Sequence, residues 1–528
     1  MTENAGNLVM NYASFHPHNV RLLNITFFIL VVAFIALGCG GGGGGGGGDD
    51  GGGPTPDTTA PTVPADVNAT TVSTSKINVT WSESRDNKGV TGYRIIRTVP
   101  LPEEELTVLP STGTNYTHTD LTVNVKYCYK VTAFDEAGNE SDQSSETCAA
   151  TSLVASDASA GDQFGFSVAM SGAYAIVGAR NGDSGMTDTG AAYIYRRIDT
   201  DTWDEGVKIV AGDADEFDEF GWSVAINGDV AIVGARWDDE AGDQAGAAYI
   251  FQRTGPGNIW DTGTKIMAQN AGSNDVFGIS VAISSDFAVV GATGDDNSSG
   301  AIYIYKKNID NTWSPHAKIP SHDAGSSDLF GISVAISGDY IIVGATLTEA
   351  AYIYHWSGST WDFMKRITAP PIETQGDFFG ISVAIDGEYA LAGAWAASQG
   401  AGDGAAYIFK RTGSDWDSGV KIVASDAAVN ANFGKSVSIK GDYAIVGADT
   451  YDAEAGLTNA GAVYIFQRTG PGNIWDTGAQ IFAVDFEKDA FFGNAVTISN
   501  DRAIVGSLLK RAGGSSTGAA YILDIPPG

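Results

Sequence analysis

The chain has 528 residues, enough for several domains, and carries 63 acidic against 30 basic side chains, a formal net charge of −33 at pH 7. That balance excludes a nucleic-acid partner, which requires basic surface, and an anionic membrane face as a direct partner. It suits a soluble, self-repelling, exported protein.

In chain order, Arg21 precedes an apolar segment that runs uninterrupted from Phe27 to Leu37 and ends in Gly38-Cys39. A short apolar core closed by small residues predicts an export signal over residues 1–38. Cys39 resembles the lipid-accepting cysteine of bacterial lipoproteins. The resemblance implies a membrane partner through an N-terminal lipid anchor, and the outer membrane or cell surface as location. An uncleaved signal anchor is the alternative reading, since the stretch comes within reach of a bilayer span. Residues 39–59 hold nine consecutive glycines, Gly40–Gly48. Such a chain packs nothing; about 20 Gly-rich residues span roughly 25 Å root-mean-square, so the segment predicts a flexible tether.

Residues 60–151 predict a β-sandwich. Ile77-Asn78-Val79-Thr80-Trp81, Gly92–Arg97 and Tyr127–Ala133 read as strands, and Asp135–Asn139 as a hairpin turn. The segment resembles a fibronectin type III domain, which implies Trp81 in the core and Tyr127 at the tyrosine-corner position. No Arg-Gly-Asp occurs in the chain, so the expected role is a rigid spacer. Cys128 and Cys148 flank the Gly138-Asn139 turn at near-equal distances and are expected to form a disulfide. Two buried free thiols are the alternative. A disulfide implies an oxidising compartment.

Residues 152–528 repeat one pattern seven times. A Phe-Gly pair opens each copy, at Phe164, Phe220, Phe277, Phe330, Phe379, Phe433 and Phe492. A short apolar run follows, then a tight turn, a second run ending in Val-Gly-Ala or a near match, a polar loop, and Gly-Ala-Ala-Tyr-Ile-Tyr or a variant. Gln252–Gly263 and Gln467–Gly478 are identical. Four short strands per copy predict one antiparallel meander, and seven such sheets can bury their faces by packing around an axis, an open solenoid of the same repeats being the alternative. The last copy lacks its fourth strand. Leu153-Val154-Ala155-Ser156-Asp157 resembles Ile422-Val423-Ala424-Ser425-Asp426 and is expected to supply it. The pattern resembles the FG-GAP repeat of integrin α-like propellers. The fold expected is all-β, a seven-bladed β-propeller preceded by a fibronectin type III sandwich, and the resemblance implies extracellular recognition.

Calcium-binding members of that family carry an Asp-rich loop between the first two strands. Here a tight turn such as Asn227-Gly228 stands there, too short to supply six to eight oxygens. No metal and no other cofactor is therefore expected. A second pattern, Asp-x4-Asp-x-Phe-Gly, recurs at Asp157/Asp162, Asp213/Asp218 and Asp323/Asp328. It is expected to cap turns, with a weak cation site as the alternative.

Catalytic signals are sparse. Gly182-Asp183-Ser184-Gly185 matches the string around a serine-protease nucleophile, but no His lies near it in sequence, and a nucleophile needs a base within reach. The chain is expected not to be an enzyme. The loops after Val-Gly-Ala vary most between copies, and binding specificity concentrates in such loops. Arg180, Arg236, Trp237, Trp395 and Tyr451 are the candidate ligand-binding residues. The expected function is recognition or adhesion toward an extracellular protein or glycan. A propeller-based polysaccharide-degrading enzyme and a scaffold subunit of an envelope assembly are the alternatives.

Overall fold

The computed structural model describes residues 56–525 apart from 111–112, 184, 200–201, 323–327, 371–375, 398–402, 427–430, 454–455 and 513–514. Cys39, Ser184 and Asp323 lie outside the described residues. The fibronectin unit is two antiparallel sheets. One contains Ala65–Ser73, Lys76–Ser82 and Asn115–His118; the other contains Glu104–Pro110, Val90–Val99, Lys126–Asp135 and Thr147–Ala150. Trp81 is buried and meets Tyr93 edge-on at 5.4 Å. Tyr127 accepts a hydrogen bond on its Oη from the Thr122 N–H (3.1 Å), which ties the strand back to the preceding loop as the tyrosine corner requires. Cys128 and Cys148 are direct cross-strand partners and are joined as a disulfide.

Each repeat forms one twisted sheet. The first blade runs Phe164–Ser171, Tyr174–Ala179, Ala191–Arg196 and Val207–Ile209, each strand paired with the next. The hairpin between the first two strands is one residue later than the Asn-Gly signal suggests. In the second blade Asn227 pairs with Val230, so Gly228-Asp229 forms the turn, with Gly228 at φ 56°. The first strands of successive blades pack side by side around the ring, and that of the seventh blade, Phe492–Ile498, packs on that of the first.

The invariant letters explain the packing. Phe164 is fully buried and meets Tyr193 of the third strand edge-on at 5.4 Å, a contact repeated at Phe220–Tyr249 and Phe277–Tyr303. The Ser three residues after each Phe clasps the next blade. Ser167 Oγ donates to the Gly221 carbonyl (2.8 Å), Ser223 to Gly278 (2.8 Å) and Ser280 to Gly331 (2.6 Å). Gly178 of Val-Gly-Ala sits against the same carbonyl, and a Cβ there would lie 2.1 Å from Gly221 O. The seventh blade has Ala495 where the others have Ser. Asn494 replaces it, donating from Nδ2 to the carbonyls of Gly165 (3.1 Å) and Phe166 (3.0 Å) and joining the last blade to the first. Leu153 exchanges both backbone hydrogen bonds with Ala520 (2.8 and 3.0 Å), so the segment before the first repeat completes the seventh blade.

Candidate ligand-binding rim

The residue before each Phe-Gly adopts a left-handed backbone. It is Gln163, Glu219, Val276, Leu329, Phe378, Asn432 and Phe491 in turn, with φ between 53° and 56° in all seven. That conformation costs about 1–2 kcal/mol for a non-glycine residue, and more for β-branched Val276. Its recurrence in register makes it a feature of the fold, while the side chain presented changes between blades, with only Phe378 and Phe491 sharing a type. The end of the second strand lies beside it. The N–H groups of Asn181, Trp237 and Gly294 bond the carbonyls of Asp162, Asp218 and Asp275 (3.0–3.3 Å). Each blade therefore places three variable side chains together at one end of the ring: the residue before Phe, the residue after Gly of Phe-Gly, and the residue after Val-Gly-Ala.

On the first two blades these positions form one ladder. Phe166 and Trp222 are 4.6 Å apart. The Arg180 guanidinium lies 4.3 Å from the Phe166 ring and 4.9 Å from Trp222. Arg236 lies 3.2 Å from Trp222 and 4.1 Å from Trp237. Glu219, buried, accepts from Arg236 Nε at 2.6 Å, and Arg180 Nε donates to Gln163 Oε1 at 2.7 Å. Burial lowers the pKa of both guanidinium groups, but arginine remains cationic in proteins. Among the described residues, no hydrogen bond engages the terminal nitrogens of Arg236. Its flat faces are covered by indoles while its outer donors stay available.

A second, smaller stack spans the fifth and sixth blades. Phe378 stacks on Trp395 at 5.1 Å and 22°, with the Lys435 ammonium 5.7 Å from the indole. Asn432 Nδ2 donates to Asp449 Oδ1 at 3.0 Å, and burial raises the Asp449 pKa. A cleft of about 440 Å³ opens beside Phe378, lined by Thr346, Leu347, Glu349 and Arg366.

Of the five residues expected from sequence, Arg180, Arg236 and Trp237 meet in the ladder, and Trp395 belongs to the second stack. Tyr451 lies apart from both. Its Oη donates to Asp426 Oδ2 (2.5 Å) and its ring packs on Phe482, so it braces the sheet. Phe166, Trp222, Glu219, Phe378 and Lys435 escape sequence reasoning because they sit inside or against the constant Phe-Gly frame. The signal that finds them is variation at fixed positions within that frame.

The recurring aspartates divide into two structural roles. The second of the first two pairs caps a turn, Asp162 accepting from Ser159 N–H and Asp218 from Asp215 N–H, and Asp275, which Asn270 precedes in place of a first Asp, accepts likewise from Gly272, all at 2.7–2.8 Å. The first braces the third strand, Asp157 accepting from Tyr193 Oη (2.6 Å) and Lys208 Nζ (2.7 Å). In the second blade the Lys265 ammonium holds three carboxylates, Asp213, Asp238 and Glu240, each at 2.7 Å. These neighbours raise its pKa against the opposing effect of burial.

The FG-GAP repeat profile matches seven stretches, 149–195, 203–251, 260–305, 313–354, 361–409, 416–466 and 475–523. The chain belongs to the FG-GAP repeat family. A fibronectin type III domain profile matches residues 60–148. Exoglucanase B of Cellulomonas fimi is 40% identical over 106 residues, 20% of this FG-GAP chain and 9% of that protein. Chitinase A1 of Niallia circulans is 36% identical over 98 residues, 19% of this chain and 13% of that one. The similarity to these glycoside hydrolases lies in the fibronectin region, and the chain spans only about a tenth of their length. The crystal structure of FN3tt overlays with a TM-score of 0.16 at 22% identity, covering 18% of this chain and 97% of that one.

Proposed function

We propose that this FG-GAP protein is an exported recognition or adhesion protein, held to a membrane by a lipid on Cys39, that binds an extracellular glycan or protein through the rim of its propeller. The observation that carries the reading is the Phe166–Arg180–Trp222–Arg236–Trp237 ladder. It combines broad aromatic surface with the Arg236 terminal nitrogens, which make no hydrogen bond among the described residues, and Trp and Arg are residue types that dominate binding hot spots. The family's extracellular character and the fibronectin domain support the same direction. Binding without turnover is this reading, supported at the ladder by the pairing of its carboxylate, Glu219, with Arg236. The test is an array of extracellular glycans and matrix proteins probed with the purified full chain, with product analysis of each bound ligand. Binding with no product supports recognition; a cleaved polysaccharide replaces it with the degradative reading.

A further inference from the structure

The fibronectin domain does not hang from the propeller by a linker. Its last strand, Thr147–Ala150, is held to Lys126–Tyr129 by pairing and by the Cys128–Cys148 disulfide. The next residue, Thr151, is tied to the domain's 122–125 loop: its N–H donates to the Val125 carbonyl (3.1 Å), and its carbonyl accepts from the Asn124 N–H (2.8 Å). Two residues later Leu153 pairs with Ala520 and completes the seventh blade. The Val154 carbonyl then accepts from Tyr195 Oη of the first blade (2.7 Å). Four residues, Thr151–Val154, thus pass from sandwich to seventh blade to first blade with no slack.

The domain also straddles the join. On the first blade, Thr74 Oγ1 in the turn between the first two sandwich strands donates to the buried Trp203 carbonyl (3.0 Å), and Lys76 pairs with Glu205. On the seventh blade, Asn68–Thr71, Lys126 and Cys148 face Asp485, Glu487 and Lys510 across a cleft of 390 Å³. Val123 of the sandwich is buried in the same apolar cluster as Leu153, Phe164, Ile504 and Ile522, the core between the first and seventh blades. This join is also where the Ser clasp is replaced by Asn494.

We propose that the fibronectin domain is the lock of the propeller: it closes the ring at the one join lacking the Ser clasp, and the disulfide anchors the closing strand. A spacer would be dispensable to the ring; this domain is not. The prediction is local, since the remaining joins have their own clasps.

The test is amide hydrogen exchange on the full oxidised chain, comparing wild type with Val123→Ala and with Cys128→Ser/Cys148→Ser. Opening of the join frees the amides of Leu153 and Ala520, which bond each other's carbonyls across it, so both variants should speed exchange at these two amides by about tenfold or more, while the second strands of the third and fourth blades keep wild-type protection. Unchanged protection at Leu153 and Ala520 in Val123→Ala overturns the proposal. Equal acceleration in all blades of Val123→Ala also overturns it, because the domain would then act on global stability alone. If the double cysteine variant does not fold, Val123→Ala, which retains the disulfide, decides the question by itself.

Discussion

Arg236 is clamped between Trp222, 3.2 Å from its guanidinium, and the buried carboxylate of Glu219, 2.6 Å from its Nε. The two contacts hold the cation in place from different directions while its outer nitrogens face no partner among the described residues. Arg236→Ala should therefore destabilise the chain by about 3 kcal/mol, mostly because the buried Glu219 carboxylate keeps only the Arg180 Nη1 at 3.9 Å as a cationic partner. Arg236→Ala/Glu219→Gln should recover at least half of that. Denaturant unfolding of the single and double variants measures the coupling.

Lys265 takes the place among its carboxylates that a bound cation would otherwise fill. Chelation with EDTA should leave the melting temperature unchanged. Lys265→Met should lower stability by about 3 kcal/mol, since Asp238 is 3% exposed and loses its ammonium. Interaction with Lys265 and Tyr249 holds the Asp213 carboxyl below its ordinary pKa despite desolvation, the largest single effect. A depressed carboxyl pKa contributes stability above the unfolded value and loses it as pH falls through the folded one. The wild type should lose this contribution under acid, and Lys265→Met should have little of it to lose.

Asp218 behaves in the opposite sense. Burial pushes its carboxyl up to about 6. The folded chain then binds the proton more tightly than the unfolded chain, so this group's contribution declines as pH rises from about 4 to about 6. Asp218→Asn keeps a side-chain oxygen for the Asp215 N–H and removes the titration. It should stabilise the chain by about 1–2 kcal/mol at pH 7 relative to its effect at pH 4. Urea midpoints at the two pH values provide the check.

Two glycines separate packing from backbone strain. A Cβ at Gly178 would stand 2.1 Å from the Gly221 carbonyl of the next blade, whereas Gly172, at φ 59°, faces open space. Gly178→Ala should cost about 3 kcal/mol or prevent folding, through overpacking between blades. Gly172→Ala should cost about 1 kcal/mol, through its left-handed backbone.

Much of this architecture was legible in the chain because its period is redundant. Seven Phe-Gly pairs, the incomplete seventh copy and the likeness of Leu153–Asp157 to Ile422–Asp426 all point to a closed ring, and the Leu153–Ala520 pairing supplies the closure. Cys128 and Cys148 were readable from their placement about one turn. The candidate rim was only half legible. Phe166 and Trp222 look like members of a constant motif, and only the ring geometry brings them beside the loop residues Arg180 and Arg236. Tyr451 looks like an exposed loop aromatic because its partner Asp426 lies 25 residues earlier in the chain. The fibronectin domain looks like a spacer because Val123 and Thr74 carry no sign in sequence that they pack against blades formed much later.

Tyr451→Phe offers a control for the rim. It should cost about 1 kcal/mol for the lost hydrogen bond to Asp426 and leave ligand affinity unchanged.

The most direct test of the rim as a binding surface is the affinity of the full chain for its strongest array ligand, measured beside Trp222→Ala. The predicted result is binding weaker by about tenfold or more, with the variant still melting as a folded ring. Unchanged affinity in a folded Trp222→Ala chain would contradict the assignment of the rim.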